Sequence, residues 1–214
     1  SSSHRGGGKT EEINFSRFIN KAQSSEVAEV FIPENNFRDF EIVDSLKSAI
    51  ISKGYDIPTP IQDKTIPELL KGRDIVGVAN TGTGKTAAFL IPLINKVLLN
   101  RKEQVMIIVP TRELAAQIDE ELRQFVRGMK IYSVCCVGGA SVGKQISQLR
   151  LQYNFIIGTP GRIKDFIDRG MIHLNEFNSI VLDEADRMLD MGFVAHMRDI
   201  MNAMPKNRQT LFFS

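Results

Sequence analysis

The sequence predicts an α/β fold: a mostly parallel sheet with helices on both faces. Three observations carry that prediction. Six short runs are nearly all apolar and lack the polar alternation of a sheet with one wet face, as expected of strands buried on both sides. Helical segments lie between them, the order expected of βαβ units. The chain has 214 residues, 43 % hydrophobic and 24 % charged, the composition of a folded domain able to bury a core without disulfide or metal.

The elements follow in order. Ser1 to Gly8 reads as a polar tail with no secretory h-region. Apolar residues at 13, 15, 18, 19 and 22 suggest a short amphipathic helix over Ile13–Ala22. Ser24 to Asn36 is a connector interrupted by Pro33, so residues 1–36 form a tail with a helical extension and the compact domain opens near Phe37. Asp44 to Lys53 is a helix stopped by Gly54. Thr59 and Pro60 supply an N-cap and first position for a second helix, to about Lys71. The strands are Ile75–Ala79, Val105–Val109, Tyr132–Val137, Phe155–Gly158, Ile180–Leu182 and Thr210–Phe213. Helices are expected over about 85–99, 112–127, 141–152, 161–169 and 194–203.

Several classes are excluded. No stretch of about 18 apolar residues exists to span a bilayer. The net charge of +2 is too small for a general nucleic-acid field, so any such partner must be gripped locally. Cys135 and Cys136 are adjacent on a strand and point to opposite faces, which suits core thiols in a reducing compartment rather than a disulfide. His4, His173 and His196 have no ligand-like spacing, and no His/Cys metal site is expected.

In such a sheet ligands gather beyond the carboxyl ends of the strands. Two segments there compete as a phosphate loop. Gly138 to Lys144 fits the strict G-x-x-x-x-G-K pattern, but Gln145 stands where a metal-binding hydroxyl belongs. Ala79-Asn80-Thr81-Gly82-Thr83-Gly84-Lys85-Thr86 lacks the first glycine and keeps everything that touches nucleotide. Gly82 and Gly84 let backbone N–H groups curl inward, with Thr81 and Thr83 between them. Lys85 supplies a point charge for the β and γ phosphates, and Thr86 the hydroxyl for Mg²⁺. Asp183 and Glu184 end another strand, where paired carboxylates call for a cation. Asp183 is read as holding Mg²⁺ through water and Glu184 as the general base for the attacking water.

Asp183-Glu184-Ala185-Asp186 spells the name of a family, and from Phe37 to Ser214 the chain closely resembles the N-terminal RecA-like domain of the DEAD-box RNA helicases. The resemblance implies a RecA-like P-loop NTPase fold, with ATP and Mg²⁺ as cofactors. Gly54 to Gln62 matches the family's adenine-reading segment; the Gln62 amide can donate and accept at one adenine edge. Tyr55 belongs to that segment and is expected to pack beneath it. Seventeen residues upstream lies Phe37, expected to stack on the base, with Phe40 as a rival.

By resemblance, three strand-to-helix junctions line a single-stranded RNA path. They are Pro110-Thr111-Arg112, Gly138-Gly139 and Thr159-Pro160-Gly161-Arg162, where N–H groups point outward at an anion. Arg112 either contacts RNA or braces the site. Contacts to sugar and phosphate carry no sequence preference. Asp186 and Ser214 match residues that couple hydrolysis to strand separation, and Ser214 is all that stands here of the family's Ser-Ala-Thr segment.

The resemblance further implies a cytoplasmic, monomeric enzyme without membrane contact. Its second RecA-like domain would complete the ATP site and the RNA path, so the chain is expected to be a weakly active fragment. A nucleotide-locked RNA clamp and a DNA translocase are the alternatives. The intact Lys85, Thr86, Asp183 and Glu184 disfavour the clamp, and the adenine-reading segment disfavours the translocase.

Overall fold

The computed structural model describes residues 33–79 and 84–214. The proposed 13–22 helix, and Asn80, Thr81, Gly82 and Thr83 of the phosphate loop, lie outside the described residues. Contacts to the domain begin before Phe37. The backbone amides of Glu34 and Asn35 donate to the Asp63 carboxylate at 3.1 and 3.0 Å.

Six strands form one sheet in which every pairing is parallel. They are β1 (Ile75–Gly77), β2 (Val105–Ile108), β3 (Ser133–Cys136), β4 (Phe155–Gly158), β5 (Ser179–Leu182) and β6 (Gln209–Phe213). Their order across the sheet is β1-β6-β5-β2-β4-β3. The helices are α1 (Asp44–Ser52), α2 (Pro60–Leu70), α3 (Lys85–Leu99), α4 (Arg112–Phe125), α5 (Val142–Leu149), α6 (Pro160–Asp168), α7 (Ala185–Asp190) and α8 (Val194–Ala203). Short 3₁₀ turns at Phe37–Asp39 and Leu174–Glu176 complete the described elements.

The predicted elements recur with ends shifted by one to three residues at most. Thr59 and Pro60 open α2 as N-cap and N1. Helix α7, absent from the predicted elements, has only six residues, too short for periodicity to register. Strands β2, β4 and β5 are buried at every position, whereas edge strand β3 alternates. That accounts for the purely apolar runs: the interior strands face a core on each side.

One core gathers Phe37, Leu46, Phe89, Phe125, Phe155 and Phe213 with α1 to α4. The other gathers Met106, Ile156, Phe166, Phe177, Met188 and Met197 with α5 to α8. Cys136 is buried in the second core, while Cys135 packs against the first. The two thiols therefore serve opposite faces, and both are free. Among the described residues no helix is long and apolar enough to cross a membrane.

Candidate nucleotide site and adjacent groove

The carboxyl ends of the strands divide into two halves. On the β1-β6-β5 half, Ser214 continues the ladder: its N–H donates to the Gly77 carbonyl, and Ala79 N–H donates to the Ser214 carbonyl, both at 3.2 Å. Ser214 thus stands between the strand that enters the phosphate loop and the strand that ends at Asp183. Asp186 is exposed on the first turn of α7, and no hydrogen bond joins it to Ser214 among the described residues.

The phosphate loop leads into α3 through Gly84, at φ +79°. A Cβ there would run into the Gln62 amide, so glycine is required by conformation and by space. Lys85 opens α3 and spans β6 to the end of β5. Its Nζ lies 3.0 Å from Asp183 Oδ1 and 2.9 Å from Glu184 Oε1. Lys85 is 8 % exposed and Asp183 only 3 %. Burial alone would pull the ammonium down, but the Asp183 and Glu184 carboxylates outweigh it and hold Lys85 above its ordinary range. Burial pushes the Asp183 carboxyl up, and Lys85 pulls against it.

Glu184 occupies the left-handed region at φ +55°. A non-glycine residue there carries backbone strain, which concentrates at functional sites. The Glu184 N–H donates to Asp183 Oδ1 at 3.0 Å, so the strained peptide also orients its neighbour's carboxylate. Thr86 follows Lys85 on the first turn of α3, half-buried.

The residues expected to read adenine are more internal than the sequence suggests. Gln62 is 1 % exposed. Its Oε1 accepts from Thr59 N–H at 2.9 Å, and its Nε2 donates to the Gly84 carbonyl at 3.0 Å. The amide thus ties α2 to the end of the phosphate loop. Phe37 departs further from expectation: its ring is 1 % exposed and leaves no open face for a base. It packs edge-on against Phe40 at 5.6 Å and Tyr55 at 5.4 Å. Phe40 is buried as well, so it offers no better platform. Tyr55 packs beneath the segment, against Phe125 as well as Phe37.

The β2-β4-β3 half carries the other three junctions. Because these strands are neighbours, their ends open onto one groove of about 560 Å³. It is lined by Pro110, Thr111 and Arg112 after β2, Gly138 after β3, and Thr159, Gly161 and Arg162 after β4. Pro160 opens α6 at N1 and is buried. Gly139 is at φ +77°, and a Cβ there would come within 2.6 Å of Arg112 Nη1. Arg112 also pairs with Glu113 at 3.1 Å. The Thr111 hydroxyl caps α4 by accepting from Leu114 N–H at 3.2 Å. Thr159 is an N-cap whose side chain makes no capping bond, and it lines the groove.

Sequence reasoning gave no role to three groove residues, Glu113, Asp165 and Phe193. Glu113 and Asp165 stood one and three residues from marked positions, but acids do not suggest an anion path. Phe193 follows α7, and only the fold brings it beside Arg162. The rejected segment Gly138–Lys144 is explained too: Ser141 caps α5 by accepting from Lys144 N–H at 3.3 Å. The Lys144 side chain is exposed, so no phosphate cradle forms there.

The family model for the DEAD/DEAH box helicases matches residues 59–214. The chain belongs to that family. It is similar to the DEAD-box ATP-dependent RNA helicase CshA of Bacillus subtilis (strain 168), with 45 % identity over 179 residues, covering 83 % of this chain and 36 % of CshA. It is also similar to the crystal structure of a DEAD box protein from the hyperthermophile Methanococcus jannaschii. That match has a TM-score of 0.79 and 39 % identity, covering 86 % of this chain and 50 % of the other. This helicase-family chain therefore spans about a third to a half of these relatives.

Proposed function

We propose that the chain is the ATP-binding half of an RNA helicase that hydrolyses ATP to part short duplexes. The observation that supports this most is the convergence of Lys85, Asp183 and Glu184 across β6, beside a groove lined by all three predicted RNA junctions. An ammonium already lies between the two carboxylates, so the site suits a cation. Asp183 and Thr86 would hold Mg²⁺, which when bound neutralises charge on the transferred phosphate.

In the mechanism, the ATP phosphates compete with Asp183 and Glu184 for Lys85. Once Lys85 turns to the β and γ phosphates, Glu184 is released to take the proton of the attacking water. Gln62 senses the exchange, because its amide is bonded to the carbonyl of Gly84, the residue before Lys85. In the groove, the Thr159 hydroxyl, Arg162 and the junction N–H groups grip sugar and phosphate without reading bases. A second domain would close over both halves, supplying an arginine to the γ-phosphate and the rest of the RNA path. The free thiols suit a reducing, cytoplasmic setting.

The test is ATP turnover of the full-length protein, both RecA-like domains included, at saturating RNA. Glu184→Gln should keep nucleotide binding and lower turnover about 10²-fold or more, the usual contribution of a general base. Equal turnover in the two proteins would contradict the hydrolytic reading.

A further inference from the structure

Gln145 is the residue that disqualified the Gly138–Lys144 segment as a phosphate loop. It lies on α5, is 4 % exposed, and both ends of its amide are engaged. Its Nε2 donates to the Val137 carbonyl at 3.0 Å. Its Oε1 accepts from Arg162 Nη1 at 3.1 Å. Val137 directly precedes Gly138-Gly139, and Arg162 belongs to the junction after β4. One buried side chain therefore joins two of the three loops that line the groove.

We propose that Gln145 is a positioning residue that fixes Arg162 in the groove for contact with the RNA backbone. This rests on the RNA reading of the groove. The chemistry requires an amide of this length. The group must accept from a guanidinium and donate to a carbonyl at the same time, which neither a carboxylate nor a hydrocarbon does. A hydroxyl, as in a true phosphate loop, is too short to span the two partners. Arg162 is held on a second side by the Phe166 ring, 5.6 Å from its guanidinium carbon. A guanidinium has five N–H donors, and Gln145 takes one, so the rest serve a phosphate without the cost of ordering a free side chain.

The test uses the 214-residue chain with wild type, Gln145→Met, Arg162→Ala and the double variant. A labelled oligouridine reports RNA affinity by fluorescence anisotropy, and the ¹⁵N guanidinium signals of Arg162 report its restraint. Gln145→Met should average the resolved Arg162 signals and weaken RNA about tenfold, equivalent to ~1.4 kcal/mol. In the Arg162→Ala background the same change should cost almost nothing, because the two residues act as a unit. If Gln145→Met does not fold, Gln145→Asn keeps the amide but cannot span both partners, and the same losses are expected. Unchanged Arg162 signals, unchanged affinity, or additive losses would each overturn the inference. RNA affinity indifferent to Arg162→Ala would instead overturn the RNA reading of the groove, and with it the purpose assigned to Gln145.

Discussion

At the residue scale, the site is dominated by a charge problem. Asp183 is almost fully buried, and Lys85 is the cation that compensates it. Removing one partner of a buried pair costs about 3–5 kcal/mol, because the other charge is left uncompensated. Burial already holds the Asp183 carboxyl above its unfolded value with Lys85 in place, and in Lys85→Ala the opposing cation is gone, so the upward shift grows. The native state would hold a proton that the unfolded state has lost, so stability falls as pH rises through that window. The penalty of Lys85→Ala should therefore grow as pH rises above the unfolded carboxylate range, read by urea unfolding of variant and wild type across a pH series. A pH-independent penalty would mean that Asp183 is not the group left exposed to burial.

The cysteines give a second residue-scale expectation. Burial pushes Cys135 to about 11 and Cys136 to about 12, so both stay as thiols through the mildly alkaline range. Native chain at pH 8.5 should alkylate far more slowly with iodoacetamide than urea-unfolded chain. Comparable rates would contradict a buried Cys136 and a half-buried Cys135.

At the element scale, alternation of apolar runs and helices was legible because each βα unit writes its own local pattern. Thr59-Pro60 and Gly54 marked their boundaries by capping chemistry alone. Strand order was not legible, since nothing local states that β6 inserts between β1 and β5. Yet that insertion brings Ser214 to the phosphate loop and separates the two halves of the active edge. The same blindness hid the bond from Gln145 to Arg162, which needs β3 beside β4, and the place of Phe193 in the groove. Phe37 shows the reverse limit. Spacing placed it beside the Gly54–Gln62 segment, where it packs on Tyr55, but only packing shows its ring closed within the core.

The turn between α4 and β3 offers an element-scale test. Lys130 is exposed and sits at φ +56°, the left-handed region that costs a side chain about 1–2 kcal/mol. Lys130→Gly should raise stability by about 0.5–1 kcal/mol, after the entropy that glycine returns to the unfolded chain is subtracted. A loss in chemical denaturation would show that the lysine side chain has a compensating role.

At the scale of the whole molecule, one parallel sheet presents two candidate ligand sites along a single edge. The proposed nucleotide site lies at the ends of β1-β6-β5 and the proposed RNA groove at those of β2-β4-β3, with the β5–β2 pairing as the seam. The near-neutral charge fits this plan, because the groove relies on helix-start N–H groups and two arginines rather than a broad positive field. On this plan the two candidate sites are chemically distinct and lie on one domain. The most direct measurement is paired titration of the chain, and of Lys85→Ala and Arg162→Ala, with a fluorescent ADP and a labelled oligouridine. Lys85→Ala should weaken nucleotide about tenfold or more and leave RNA affinity near wild type, and Arg162→Ala should do the reverse. Both variants weakening both ligands equally, or either ligand indifferent to its own variant, would contradict the account.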